Sequence, residues 1–404
     1  MKPLPLLLLA FLGITPLRAA DSSIAATAVN ALGLDLLGRA NSNTLLSPYS
    51  IQFALAMTYA GADGITREEM QKVLHYPVDD VSLNDSFHTL DSQLEDMVKT
   101  AATAPAQADP VTLNLANRLF GQQGLSFRPS FLALVQRSYS APMELVNFAT
   151  SSEAARQHIN DWVSTQTCDR IQDLIPSGGV DGDTALVLVN AVYFKAAWTS
   201  QFQADNTEPR PFHFTPADSD KVPTMRAKVT CGFAHRDGYT ALGLDYANSD
   251  LQFLILLPDA VDGLPALEAK LTPALLAGNA QLEPRQLILE LPKFKLKPPT
   301  MELTTALKAL GMKTAFDPGK ANFDKMSEAK GLLSISHIFH KTFLDLNENG
   351  TEAAAATAVV MTLRALARNP PEPPEFHVDH PFLFAIQDRR SGVCLFLGCL
   401  ADPR

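Results

Sequence analysis

The sequence predicts an α+β protein folded as one large domain, and three observations carry that reading. The 404-residue chain is 46% hydrophobic, enough to bury a sizeable core. Helical and strand periodicities both occur, without the regular βαβ alternation of a parallel α/β fold. No internal repeat, coiled-coil heptad or long linker interrupts the chain. Charged residues make up 19% and form no long polar tract, which argues against extensive disorder. Net charge is -10 with no Lys/Arg cluster, which argues against nucleic acid and anionic membranes as partners.

The first third reads mainly as helix. Ser47-Pro48 predicts a helix start, with Ser47 as N-cap and proline at the first position, and Gly61 as the stop. Thr66-Arg67-Glu68-Glu69 reads as a capping box before Met70, Val73 and Leu74. Phe87, Leu90, Leu94 and Met97 recur on one face of a helix over 85–99. The period then changes, because Val111, Leu113 and Leu115 alternate with polar or small residues as in a strand. Helices are expected near 129–138 and 151–165. The apolar run 184–195 is long enough to be a central strand. Short strands broken by Pro, Gly and Asp are expected over 211–257. Residues 285–297 alternate as a strand, 300–311 reads as a helix stopped by Gly311, and 332–346 returns to strand. Apolar strands fill 376–400 around a turn at Asp388 to Gly392.

At the N-terminus, Lys2 precedes an apolar run over 4–14, then Thr15-Pro16-Leu17-Arg18-Ala19-Ala20. One cation, a short apolar stretch and small residues predict a secretory signal peptide over 1–20, followed by a domain over 21–404. The expected location is therefore secreted or periplasmic. Arg18 is out of place in a small-residue cleavage pattern. The four cysteines are Cys168, Cys231, Cys394 and Cys399; four in this length make no disulfide scaffold. Cys394 and Cys399 are an odd number apart in a strand-like run, so they face opposite sides, and the pairing stays open.

The segment 347–369 is ambiguous by propensity. Ala353, Ala354, Ala355 and Ala356 favour helix, whereas Thr357, Val359, Val360 and Thr362 favour strand. Pro370, Pro371, Pro373 and Pro374 forbid a continuing helix. The run from Asn347 and Glu348 through Gly350, Thr351, Glu352 and the four alanines to Thr357 resembles the hinge of inhibitory serpins. Asp379-His380-Pro381-Phe382-Leu383-Phe384 is similar to that family's C-terminal signature. Asn43-Thr44-Leu45-Leu46-Ser47-Pro48 and Ser50 resemble the start of its second helix. Val189 to Lys195, with Trp198 beyond, resembles the third strand of its central sheet, and His340-Lys341 precedes the hinge at the family spacing. The resemblance covers nearly all of the chain after the leader.

What the resemblance implies is a fold of three β-sheets and about nine helices, with an exposed reactive-centre loop over about 348–370. It implies a suicide-substrate inhibitor rather than an enzyme. A serine protease attacks the loop and forms an acyl-enzyme, and the cut loop inserts into the central sheet and traps it. Ser47, Ser50, Asn190, Trp198 and His340 take the family's shutter and breach positions. The scissile bond normally lies sixteen residues beyond the glutamate matched by Glu348, between Arg364 and Ala365. Arginine there suits the acidic pocket of trypsin-like proteases. Leu363, one residue earlier, would suit a chymotrypsin-like pocket, and the basic Arg368 lies close to Pro370. A non-inhibitory, binding or chaperone-like serpin is the rival reading, although the hinge lacks the bulky or charged residues usual in that class. The stretch matching the heparin-binding helix of some members, 85–110, holds Lys99 as its one cation among several acids, against heparin as a partner. The chain is expected to act as a monomer.

The residues themselves bear on insertion. A strand entering mid-sheet must offer every backbone N–H, and no proline occurs from Asp345 through Asn369. Thr351, Ala353, Ala355, Thr357, Val359 and Met361 alternate toward the core, and Glu352 falls on the opposite set, where solvent is expected. About a dozen ladder bonds at ~1 kcal/mol each would release on the order of 10 kcal/mol. No cofactor or metal is expected. His337 and His340 face opposite sides of a strand, and His377, His380, Cys394 and Cys399 match no common zinc spacing.

Overall fold

A computed structural model describes residues 22–38, 42–77, 79–104, 109–139, 143–328, 330–331, 333–352 and 371–404. Among them are nine α-helices: α1 (Ser23–Leu37), α2 (Pro48–Tyr59), α3 (Gly64–Val73), α4 (Asp80–Thr103), α5 (Pro129–Tyr139), α6 (Phe148–Gln166), α7 (Leu264–Lys270), α8 (Pro273–Gly278) and α9 (Thr304–Leu310). The strands of the N-terminal half are β1 (Thr44–Leu46), β2 (Thr112–Gln122), β3 (Glu144–Val146), β4 (Leu186–Ala197), β5 (Glu208–Thr215) and β6 (Asp218–Arg236). Then come β7 (Tyr239–Asp245), β8 (Leu251–Pro258), β9 (Pro284–Pro292), β10 (Phe294–Leu296), β11 (Met301–Glu302) and β12 (His337–Thr342). The last are β13 (Leu344–Asn347), β14 (Gly350–Thr351), β15 (Glu375–His377), β16 (Phe382–Asp388) and β17 (Cys394–Leu400).

Helix α2 begins where its cap predicts. Ser47 is extended and its Oγ accepts the Ser50 N–H at 3.3 Å, with Pro48 following. Every residue of α2 is buried, so it runs through the core rather than along the surface. The capping box at Thr66 does not form. Helix α3 already starts at Gly64 behind Asp63, and Thr66 Oγ1 instead accepts the Asn322 N–H. Glu69 turns outward to accept the N–H groups of Lys313 and Thr314, so this local motif is spent on a distant segment.

The strands form two hydrogen-bonded sheets. The nine-stranded one runs β1-β17-β16-β8-β7-β6-β9-β15, with β5 on β6. Short strands were expected over 211–257, but β6 is one 19-residue strand. Its Thr224–Gly232 stretch pairs with β9 and its Gly232–Arg236 stretch with β7, so two of the three expected sheets are continuous through it. Pro223 is tolerated opposite Pro209 of β5, an edge strand. The alternating run at 285–297 divides at Lys293, β9 joining this sheet and β10 the other.

The eight-stranded sheet is built around β4, which is buried along its whole length except at Lys195. One edge of β4 pairs antiparallel with β2 from Thr112 to Gly121. The other edge has two neighbours, β12 and β14, and that division positions the site. The principal core lies between the sheets around α1, α2 and α4. A second cluster forms where Ile159 and Val163 of α6 cover Val187, Val189, Ala191, Phe339 and Phe343.

Candidate functional site

Along half of its length β4 is closed against β12. His337 to Thr342 pair in parallel with Val187 to Val192. Above Thr342 the two chains part. Gly350 and Thr351 of β14 wedge between them, antiparallel to Ala197 and Ala196 on one side and to Asn347 and Leu346 on the other. The result is a fork, a sheet opened at one end by the first two residues of a new strand. Only glycine fits at its mouth. Gly350 has φ 146, and a Cβ there would collide with the Ala196 carbonyl oxygen.

The mouth is held by four contacts. Thr351 is fully buried and its Oγ1 lies 2.6 Å from the Tyr246 hydroxyl. Tyr246 stacks on Trp198 at 4.7 Å between ring centroids. Trp198 donates its indole N–H to the Asn347 carbonyl and its backbone N–H to the Asn349 carbonyl, both at 2.9 Å. Outside the turn, Glu348 accepts from Lys293 at 3.0 Å and from the Thr207 hydroxyl at 2.8 Å. Burial raises the Glu348 pKa, but its own backbone N–H, Lys293 and Thr207 outweigh that and hold it below the usual range.

The closed end is pinned by a second network. His340 is fully buried, its Nε2 accepts the Ser47 N–H at 3.1 Å, and its Nδ1 faces Asn190 Oδ1 at 2.5 Å. An accepting Nε2 requires the proton on Nδ1, so the ring is a neutral donor to Asn190. Burial pushes its pKa down to about 3, outweighing the Asn190 contact, which raises it. Ser47 Oγ donates to the Leu395 carbonyl at 2.6 Å. Ser50 reaches Asn117 Oδ1 at 2.5 Å, and Asn117 pairs with Asn190 across the β2–β4 ladder. Segments from α2, β2, β4, β12 and β17 thus meet at this point.

Ser47, Ser50, Asn190 and His340 are therefore brought together at the closed end, and Trp198, Glu348, Gly350 and Thr351 at the mouth. Glu352 departs from expectation: it does not point freely into solvent but pairs with Arg170, its side chain only 9% exposed. The solvent side of the sheet is occupied there by the turn after α6. Ala353, Ala354, Ala355, Ala356, Thr357, Leu363, Arg364, Ala365 and Arg368 lie outside the described residues. Tyr246, Lys293, Thr207, Asn117 and Arg170 were not singled out from the sequence. No local motif marks them, because each acts through a partner far along the chain.

Other expected groups have structural partners. His377 faces Glu290 at 2.9 Å, and His380 lies 2.8 Å from both Asp379 and the Pro258 carbonyl. Lys99 pairs with Glu95 at 2.9 Å. Cys168 is exposed and Cys231 and Cys394 are buried free thiols, so none of the three bridges to Cys399.

A family model described as "Serpin (serine protease inhibitor)" matches residues 27–403. The bovine protein named leukocyte elastase inhibitor is 40% identical over 370 residues, covering 89% of this chain and 93% of that one. Serpin B6 of Pongo abelii is 38% identical over 376 residues, covering 92% and 96%. The crystal structure of Serpin48 from the insect Tenebrio molitor superposes with a TM-score of 0.78 at 28% identity, covering 97% of this chain and all of that one. The expectation of export, with its secreted or periplasmic location, is overturned by the leukocyte elastase inhibitor and serpin B6 relatives, which are intracellular serpins without signal peptides. The short apolar run after Lys2 that suggested it lies outside the described residues. One cation and a greasy stretch are a compositional cue, weakened here by Arg18 where a small residue belongs. With the match running over residues 27–403, across a sheet forked around β14, the chain belongs to the serpin family and is a protease inhibitor, not an enzyme.

Proposed function

We propose that this chain, as one serpin domain, is a suicide-substrate inhibitor of trypsin-like serine proteases, with Arg364 as bait and the Arg364–Ala365 bond as the one attacked. Of the loop over about 348–370, the part before that bond inserts after cleavage. The observation that carries this reading is the fork: β14 already lies between β4 and β13, antiparallel to both. Serpin loop insertion is itself a recognised example of strand addition and of strain released by a cut loop.

The register makes the motion concrete. Each further residue of the loop moves one step back along β4 and along the β13–β12 segment. Continued without a bulge, it brings Thr357 opposite both Asn190 and His340. Insertion must therefore part the hydrogen bond between those two side chains and replace the six-residue parallel ladder of β12 on β4. Two antiparallel ladders take the place of one parallel ladder, so the net release is smaller than the ~10 kcal/mol gross gain from a dozen new bonds. Thr351, buried against Tyr246, supports the alternation in which Ala353, Ala355 and Thr357 follow it into the core.

The test is to mix the protein with trypsin and analyse the products by denaturing gel and intact mass. A covalent complex stable to SDS, and a released C-terminal fragment beginning at Ala365, is the expected result. Complete conversion to cleaved protein without complex would make it a substrate and favour the non-inhibitory reading. A second reading draws on the name of the bovine relative, an elastase inhibitor. A chymotrypsin-like or elastase-like protease would then cut after Leu363, and parallel reactions with chymotrypsin and elastase distinguish the two by the mass of the released peptide.

A further inference from the structure

Glu352, the first residue past the buried Thr351, is held in a conformation that the inserted strand cannot use. Its φ is 52, in the left-handed region that costs an L-residue with a side chain roughly 1–2 kcal/mol. A residue in an antiparallel strand has φ near about −140°. The loop cannot advance beyond Thr351 until Glu352 turns over. One contact opposes that turn: its carboxylate pairs with the Arg170 guanidinium, whereas its N–H already donates to the Asp345 carbonyl at 2.8 Å, the ladder bond an advancing strand keeps.

Arg170 stands on a braced support. It follows α6 in a tight turn in which Cys168 and Asp169 have φ 51 and 59. The Asp169 N–H donates to the Ser164 carbonyl at 2.8 Å and the Arg170 N–H to the Thr167 carbonyl at 3.0 Å. The Ile171 N–H donates to Thr167 Oγ1 at 3.2 Å, and Ile171 is buried in the cluster beneath α6. That cluster covers Val187 and Val189 of β4 and Phe339 of β12, the strands that must separate. The pair is asymmetric, since the Glu352 side chain is 9% exposed whereas Arg170 is 53% exposed. Arg170 can swing into water without first shedding a shell of protein, so the contact is suited to release.

We propose that Arg170 is a positioning residue for loop insertion: paired with Glu352, it latches the hinge at two inserted residues and sets the rate at which the rest of the strand enters. This rests on the insertion reading above, and it gives the turn after α6 a direct hold on the mouth of the sheet.

The experiment measures how fast the intact protein takes up a synthetic peptide of residues 351–364 as an added strand between β4 and β12, followed by its gain in heat resistance. Peptide uptake needs no protease, so it is independent of the bait assignment. Arg170→Gln and Glu352→Gln should each accelerate uptake about two- to fivefold, the effect of one partly exposed ion pair on a barrier. The double variant should be no faster than either single variant, and the charge swap Arg170→Glu with Glu352→Arg should return toward the wild-type rate. Uptake at the wild-type rate or slower in Arg170→Gln, or additive effects in the double variant, would overturn the latch alone. A wild-type protein that takes up no peptide would overturn the latch and the insertion reading together.

Discussion

The two ends of the gap beside β4 are built on opposite principles. At the mouth, β4 and β13 are held apart by a two-residue strand with a buried threonine, and the aromatic pair Trp198–Tyr246 supports it from below. At the far end, β4 and β12 touch, and a neutral buried histidine is bonded to both β4 and α2. Opening is started where it costs little and withheld where it would expose a polar network. A sheet arranged this way has a defined direction of entry. On the insertion reading, strand addition continues from Thr351 and must pass through the His340–Asn190 contact.

The sharpest way to break the contrast is to make the mouth refuse a strand. Thr351→Arg places a cation where the native side chain is fully buried against Tyr246. We expect trapping to be lost, with the stoichiometry of inhibition raised at least about tenfold, while cleavage persists; ~1.4 kcal/mol against insertion suffices for that. Gel analysis after protease treatment reads it out, and undiminished complex would contradict entry at this end.

The closed end should respond to acid through His340. Its folded pKa is about 3 against an ordinary 6.5, so only the unfolded chain takes up that proton between those values. The histidine's contribution is complete above pH 6.5 and falls by about 1.4 kcal/mol per pH unit on the way to 3. Asp91, raised to about 6 chiefly by burial, changes stability in the opposite sense as pH falls below that value. The clean observable is therefore the stability difference between wild type and His340→Gln, measured by urea titration from pH 7 to 4, which should shrink steadily. A difference independent of pH would mean that the ring is not held neutral.

Asn190→Ala tests the same end more gently. It leaves the His340 Nδ1–H buried without its acceptor, a loss of about 1–3 kcal/mol, and should hasten spontaneous conversion to a heat-resistant form. The smallest effect is expected outside the mouth. Glu348→Gln removes the charge from the contact with Lys293, itself 39% exposed, and should lower stability by about 1 kcal/mol or less and the melting temperature by about 2 °C or less. A larger loss would place the Glu348 contact among the principal supports of the fork.

Much of this was legible in the residues. The N-cap at Ser47, the apolar run of β4, the strand before the hinge and the lack of proline after Asp345 are short-range properties, and each survives in the structure wherever those residues are described. The failures share a cause. Thr66 has the right neighbours for a cap, but Asn322 claims its hydroxyl. Pro, Gly and Asp signal breaks that the 19-residue β6 overrides, because its partners on both sides supply the pairing. Glu352 was assigned to solvent by parity, and parity is correct about its face; it could not say that Arg170 occupies that face.

By itself, then, the sequence determined the family, the fold class and the chemistry of the entering strand, because periodicity, capping and small side chains act over a few residues. The tertiary structure alone decided how far that strand has already entered and what holds it there. Those depend on contacts between residues far apart in the chain, such as Thr351 with Tyr246 and Glu352 with Arg170, and no local pattern encodes a partner supplied by a distant segment.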